Sequence, residues 1–485
     1  MQGPPGPPAL PLLGNILDVP KESAAQAYLA MSKKYDSDII QLNVMGTNLI
    51  ILNSAQAVAD LMEKRSSKYS DRPRMVMLNE LVGFGWGTAF MGHNDLWRDH
   101  RRVSCKYLGH GATKTFRSIE ESGTVLFLEK ILLQRENFMD HIRHMAGSKI
   151  LKIAYGIEIQ EQDDPFIHMA EQAMQSISAA TNAGSYLVDF LPFLKYAPEW
   201  VPGMGFKKQA RKWRYWVMSS LHEPYSNIKH RVEQGTATSC IGTSLIENMV
   251  KDATDMEYAE SVAQGMLGTM YLAGADTTVS ALGSFMLAMV LHPEVQMKAR
   301  MEIDLHCAGR LPTFADYGAL QYCHAIVKEV LRWKPVAPLA VPHQTSSDDV
   351  YKGYYIPKGS IVVGNSWAIL HDGAAYQEPE VFNPDRFMKD GKINPNVRDP
   401  ATAAFGYGRR ICPGRYMAYD SIWITVASVL AVFNLTKAKD AEGNEITPSG
   451  EYNIEFLSYP LPFKCDIEPR SAEHKAIVEV ARGKM

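Results

Sequence analysis

Cys412 stands in the run Phe405-Gly406-Tyr407-Gly408-Arg409-Arg410-Ile411-Cys412-Pro413-Gly414, with arginines just before it and glycines on both sides. A thiolate persists near neutral pH only where positive charge or a metal lowers its pKa, so this loop suits a sulfur held against a metal ion. The glycines let the main chain approach a flat ligand closely. Arg410, two residues before the sulfur, is placed to donate to a carboxylate in a bidentate manner. The bland alternative is a buried structural cysteine in a glycine-rich turn.

Upstream, Ala273-Gly274-Ala275-Asp276-Thr277-Thr278 interrupts a long apolar stretch from about residue 257 to residue 291. Its length raises the question of a membrane span. Asp276, the threonines and Gln264 argue for a helix through a large soluble core instead, apolar nearly all round as a buried helix is. Gly274 is expected to leave room beside the helix for a ligand. The Thr277 hydroxyl is expected to bond back to the Ala273 carbonyl and loosen the helix, opening a groove. Asp276 beside it is positioned to relay protons. Two further pairs share helix faces: Glu329 with Arg332, three apart, and Trp97 with Arg101, four apart. Taken alone, each has a structural reading, a surface ion pair and a solvated basic helix.

The pattern F-x-x-G-x-R-x-C-x-G ending in Gly414, the Asp276-Thr277 pair, Lys328-Glu329-Val330-Leu331-Arg332 and Trp97-x-x-x-Arg101 together resemble the cytochrome P450 family of heme-thiolate monooxygenases. The resemblance covers essentially the whole chain. It implies heme b as cofactor, with Cys412 as the axial metal ligand and Trp97, Arg101, His343, Phe405, Arg410 and Gly414 around the heme. It implies Asp276 and Thr277 as the acid-threonine pair that delivers protons. It also implies that Arg386, in Asn383-Pro384-Asp385-Arg386-Phe387, joins Glu329 and Arg332 in a buried structural triad. The implied fold class is mainly α with a minor β region, one large fold around a buried heme. The implied partners are an NADPH-cytochrome P450 reductase, O2 and a small organic substrate. Within the family the chain is similar to fungal microsomal members of secondary metabolism, as in Tyr69-Ser70-Asp71-Arg72-Pro73 and Arg398-Asp399-Pro400. Two other readings stay open: a heme-thiolate isomerase or dehydratase that uses no O2, and a non-catalytic heme sensor.

Length and composition agree. At 485 residues the chain is long enough for several domains, yet residues from Trp97 to Cys412 are claimed for one heme, which requires a single fold. The net charge of −3 argues against a nucleic-acid partner. Basic residues cluster instead at Arg98, Arg101, Arg102 and Lys106 and at Arg409, Arg410 and Arg415, an expected docking face for an acidic electron donor. Six cysteines without C-x-x-C spacing indicate reduced thiols in a cytosol-facing protein.

Residues 1–20 are proline-rich and resemble the hinge that follows a membrane anchor in microsomal members. The expectation is an anchored protein of the endoplasmic reticulum, a monomer, trimmed here of its anchor, with residues 21–485 forming the catalytic domain. The apolar runs Phe190–Leu194 and Trp200–Phe206 suit a loop dipping into a membrane surface. Periodicity predicts helices over 54–65, 95–107, 164–181, 257–291, 293–306, 317–333 and 416–433, a hairpin over 38–52, and short strands at 349–351, 354–356 and 361–363. Substrate choice is expected from the loops 81–90, 177–188 and 336–341, where Phe84, Trp86, Phe90, Leu339 and Val341 suggest an apolar or aromatic molecule.

Overall fold

A computed structural model of the chain describes residues 2–181, 186–252, 254–307, 309–453 and 455–484. The helices that position the site are α1 (Asp95–Leu108), α2 (Arg117–Leu133), α3 (Phe138–Tyr155), α4 (Pro165–Thr181), α5 (Phe206–Glu233), α6 (Met256–Leu291), α7 (Pro293–Cys307), α8 (Gln321–Trp333) and α9 (Arg415–Val432). Local chemistry sets their ends. Asn94 caps α1 by accepting from the Trp97 amide at 2.8 Å, and Asp255 caps α6 by accepting from the Tyr258 amide at 3.0 Å. α6 stops at His292 because Pro293 disfavours helical backbone in the residue before it.

α6 is long and apolar enough to cross a bilayer, but 72% of its apolar window is buried against the rest of the protein, packed by α1, α3, α4, α5 and α9. It divides the interior. Val279–Val290 join α8 and α9 in one apolar cluster around Phe285 and Trp423, and Ala263–Leu272 join α3, α4 and α5 in another around Tyr155 and Tyr271. Between the two halves lies a break. Ala273 is exposed and 274–277 are only half-buried, in a helix whose neighbouring turns are closed.

A four-stranded sheet in the order β1-β2-β6-β3 carries the other wall, with β1 (Ile39–Val44), β2 (Thr47–Leu52), β3 (His343–Gln344) and β6 (Ile361–Gly364). β1 and β2 form a hairpin in which Val44 pairs with Thr47 and both turn residues, Met45 and Gly46, have positive φ, 49° and 89°. β6 runs parallel to β2, and β3 runs antiparallel to β6 with His343 opposite Val362. β4 (Asp349–Tyr351) and β5 (Tyr354–Ile356) form a separate hairpin. The proline-rich start is seated on this region. Gln41 donates its amide to the Pro5 carbonyl at 2.9 Å, and Tyr355 donates to Gln2 at 3.0 Å.

Three elements differ from the sequence expectation. The segment 54–65 is one α-turn, Ala55–Val58, followed by a wide π-turn over Ala59–Lys64, which brings the Met62 carbonyl against the cysteine loop. α8 begins at Gln321 rather than at 317, because Thr313 and Asp316 cap a separate short turn, Phe314–Asp316. A three-stranded C-terminal sheet, in which Phe433–Lys439 lies between Glu445–Ile446 and Cys465–Pro469, was not foreseen. The pairing of residue 433 with residue 469 has no local signature. Residues 182–185 of the expected substrate loop 177–188 lie outside the described residues.

Candidate active site

The cysteine loop closes on itself before α9. The Cys412 amide donates to the Phe405 carbonyl at 2.8 Å, and Arg415 donates to the Cys412 carbonyl at 3.0 Å. Gly408 has φ 55°, and a Cβ there would lie 2.0 Å from the Met62 carbonyl oxygen, so only glycine fits. Gly414 is the N-cap of α9. Burial pushes the Cys412 thiol pKa up, opposed by the Gly414 and Arg415 amides and by the Arg101 and Arg415 guanidiniums, which favour the thiolate. The sulfur is therefore poised but needs a further cation to stay ionised. A metal ion is the natural one.

Above the loop, two arginines and a histidine converge beside one carboxylate, Asp71, whose Oδ1 accepts from the amides of Arg72 at 2.9 Å and His93 at 2.8 Å. Arg410 stacks on the Trp97 ring, 4.1 Å from guanidinium to centroid, and donates to the carbonyls of Ser70 (2.8 Å) and Thr88 (3.4 Å). Its Nη2 is buried with no partner. Arg72, more deeply buried than Arg410, spends its side-chain hydrogen bonds on the carbonyls of Ala89 (2.8 Å), Val341 (2.7 Å) and Pro342 (2.7 Å). The two guanidiniums repel each other, and burial together with Arg410 pushes the Arg72 pKa well down. Arg101 donates to the Ile411 carbonyl at 2.6 Å, tying α1 to the cysteine loop. His343 is buried on β3 and donates from Nδ1 to the Tyr69 carbonyl at 2.6 Å; burial, with Arg72 and Arg410 nearby, pushes its pKa well below the usual imidazole range. Asp71 offsets part of this positive charge, and a further anion would stabilise the cluster. A porphyrin carrying two carboxylates, with its metal at Cys412, meets that need. Arg72 was missed in the sequence because its carbonyl partners come from residues 89, 341 and 342.

The opposite wall is the break in α6. The Thr277 hydroxyl donates to the Ala273 carbonyl at 2.7 Å. Asp276 follows on the same turn, and burial raises its carboxyl pKa to about 6. Gly274 acts differently from the expectation. A Cβ there would lie 2.7 Å from Ile150, so the missing side chain admits α3 against α6 rather than a ligand.

Glu329, Arg332 and Arg386 are brought together away from this cavity. Arg332 donates to Glu329 from Nε at 2.7 Å and from Nη2 at 2.9 Å, Arg386 donates from Nε at 3.2 Å, and the Asn383 amide donates at 2.7 Å. Glu329 and Arg332 are fully buried. This cluster binds α8 to the segment that leads into the cysteine loop.

Of the basic residues grouped as a docking face, Arg101, Arg410 and Arg415 turn inward to the loop, while Arg98, Arg102, Lys106 and Arg409 are exposed. Aromatic side chains line up behind the donors: Phe84 with Trp86 at 4.8 Å, Phe84 with Phe90 at 5.9 Å, and Phe90 with Phe456 at 5.7 Å between ring centroids. Val341 packs with this group, whereas Leu339 packs on the sheet. All six cysteines are free, and no cluster of three or more metal-ligating side chains occurs among the described residues.

A mainly helical fold with a small sheet, one cysteine at a helix start and a buried cluster of cations opposite a broken core helix define a heme-thiolate protein. The comparisons place it further: the chain belongs to the cytochrome P450 family, which it matches over residues 4–465, and it is a heme b monooxygenase. It is 42% identical over 479 residues to a cytochrome P450 monooxygenase, ple1, of Rhodocybe pseudopiperita, covering 98% of this chain and 91% of that one. It is 42% identical over 481 residues to a cytochrome P450 monooxygenase of Armillaria gallica, covering 98% and 93%. To the tryptamine 4-monooxygenase of Psilocybe cyanescens it is 39% identical over 475 residues, covering 97% and 93%.

Proposed function

We propose that this protein inserts one atom of O2 into a small, mainly apolar or aromatic molecule of fungal secondary metabolism, with electrons from NADPH through a cytochrome P450 reductase. The observation that carries this reading is the Thr277–Ala273 hydrogen bond beside Asp276, because it sets a hydroxyl and an acid where protons are needed for O2 chemistry. Heme b, when bound, supplies the activation of O2 and the transfer of its oxygen atom. The chain's own residues do the rest. Cys412 would supply the sulfur that binds the heme metal, and its loop sets that sulfur at the start of α9. Arg72, Trp97, Arg101, Arg410 and His343 would hold the two propionates of the bound heme, and Phe405 and Gly414 shape the loop. Asp276 and Thr277 pass protons from the interior edge of α6 into the break. Glu329, Arg332 and Arg386 keep the approach to the cysteine loop in place. Phe84, Phe90 and Phe456 exclude water and favour a flat, apolar substrate.

The protein acts as a monomer at the endoplasmic reticulum membrane, its catalytic domain facing the cytosol. Support comes from exposed apolar side chains: Phe193 and Trp200 in the two runs expected to dip into a membrane surface, Tyr196 between them, and Leu10, Leu12, Leu13 and Leu17 in the proline-rich start.

The test is direct. The purified holoprotein is expected to give the carbon monoxide difference band of a thiolate-bound heme, and to oxidise NADPH with added reductase; the second result separates it from a peroxide isomerase or a heme sensor. Cys412→Ala is expected to abolish both; pigment and turnover surviving together in that variant would overturn the reading. Shifts of the heme Soret band with a panel of indoles, terpenoids and polyketides then narrow the substrate.

A further inference from the structure

Asp276 is an acid in the middle of an apolar helix, and burying such a group is costly unless the surroundings serve it. Those surroundings come from three elements. The C-terminal loop contributes Tyr459, whose hydroxyl donates to the main-chain carbonyl of Asp276 at 3.3 Å and lies beside its carboxyl group. α3 contributes Arg143 and α4 contributes Glu171, which face each other at 3.8 Å; Glu455 comes from the C-terminal loop again. Charges on Asp276, Arg143 and Glu455 all act on Tyr459, which puts its hydroxyl among them. Glu455 is exposed and accepts from the buried Ser178 hydroxyl at 3.0 Å. Polar groups therefore gather between α4, the C-terminal loop and the break in α6, with Glu455 at the solvent side bonded to Ser178 and Tyr459 bonded to Asp276.

The loop is held for this purpose. Tyr459 donates its amide to the Asn453 side chain at 2.7 Å, and its carbonyl accepts the Asn453 amide at 2.9 Å. Ser458 donates its amide to the Val336 carbonyl at 2.9 Å, and its own carbonyl accepts the Ser280 hydroxyl of α6 at 2.5 Å. A tyrosine hydroxyl both donates and accepts, so it can hold the carboxyl group in either protonation state.

We propose that Tyr459 is a positioning residue for proton delivery, holding Asp276 toward Thr277 while Glu455, Glu171 and Arg143 connect it to solvent, so that protons enter this protein beside its C-terminal loop. This rests on the monooxygenase reading above. Each proton Asp276 gives to the Thr277 side is replaced by one from the Glu455 side, with no net change among these groups.

The test uses the ferric holoprotein with matched heme occupancy. Infrared difference spectra, with the Asp276→Asn variant identifying the carboxylic acid band, are recorded from pH 4 to 8. The band is expected to vanish around pH 6 in the parent protein and at higher pH in Tyr459→Phe, because the hydroxyl that favours the carboxylate is gone. With reductase and NADPH, Tyr459→Phe and the surface variant Glu455→Gln are expected to raise the share of NADPH recovered as hydrogen peroxide by roughly twofold or more, in the same direction as Thr277→Ala. If Thr277→Ala raises that share while Tyr459→Phe and Glu455→Gln leave both share and midpoint at parental values, the C-terminal route is wrong and the monooxygenase reading stands. If the parent oxidises no NADPH, that reading fails instead. A Tyr459→Phe protein that does not take up heme leaves the decision to Glu455→Gln.

Discussion

Replacing Glu329 by alanine removes an acceptor that four donors share: Nε and Nη2 of Arg332, Nε of Arg386 and the Asn383 amide, all between 2.7 and 3.2 Å. Both Glu329 and Arg332 are fully buried, so no solvent can replace the lost charge. Arg332 keeps the carbonyls of Leu370, Pro379 and Val381, and Arg386 keeps those of Gln377, Glu378 and Val381, but two guanidiniums then stand together without a counterion. Breaking a buried pair in this way costs about 3–5 kcal/mol. That is a large part of the roughly 5–15 kcal/mol by which a domain is stable. The loss falls on the segment 377–386, which leads into the cysteine loop, so heme retention suffers before global folding does. Glu329→Ala is expected to purify with little heme by the pyridine hemochrome assay and to unfold at lower urea; Glu329→Gln, which keeps an acceptor oxygen, is expected to fall between. Full heme content and a parental urea midpoint in Glu329→Ala would refute the argument that this cluster secures the loop.

Thr277→Ala removes the hydroxyl bonded to Ala273 and is expected to lower product per NADPH while peroxide rises; an unchanged ratio of product to NADPH would remove Thr277 from proton delivery. Asp276 has a raised carboxyl pKa, about 6 against 3.8, so the folded state holds its proton more tightly than the unfolded chain. Stability is therefore lost as pH rises from about 4 to 6, by ~3 kcal/mol at most, and Asp276→Asn is expected to recover it above pH 6 but not below pH 4 in urea titrations. The exposed basic side chains of α1 predict that Arg98→Glu slows reduction by the reductase at low salt and that added salt narrows the difference; equal rates in stopped flow at low salt would dismiss this face.

Much of the site lies in short runs, which is why it was readable. The cysteine loop, the Asp276-Thr277 pair and the Glu329–Arg332 spacing each occupy a few consecutive residues or one helix face, so residue type and helical period were enough to single them out. The helix bounds at 95, 291 and 293 were readable too, and the structure traces them to local groups, the Asn94 cap and the proline after His292. Arg72 was not, because its meaning comes from two neighbours, Arg410 and His343, from distant parts of the chain. Gly274 was read as room for a ligand, yet the space it leaves is filled by Ile150 of α3, which no spacing along α6 can reveal. Tyr459 gave no signal at all. It is one tyrosine in a loop until that loop folds onto α6.

By itself, the order of residues determined which groups can do chemistry here: a single sulfur in a glycine loop flanked by arginines, and an acid beside a hydroxyl, because these are properties of side chains and of backbone freedom over a few residues. Tertiary structure alone decided which of those groups face one another. It turned Arg410 inward and left Arg409 in solvent, put His343 on a strand beside Arg72, and set Tyr459 against Asp276 across 183 positions of chain. The physical reason is that burial and field are set by everything within a few ångströms, and most of what lies that close to a buried charge comes from elsewhere in the sequence.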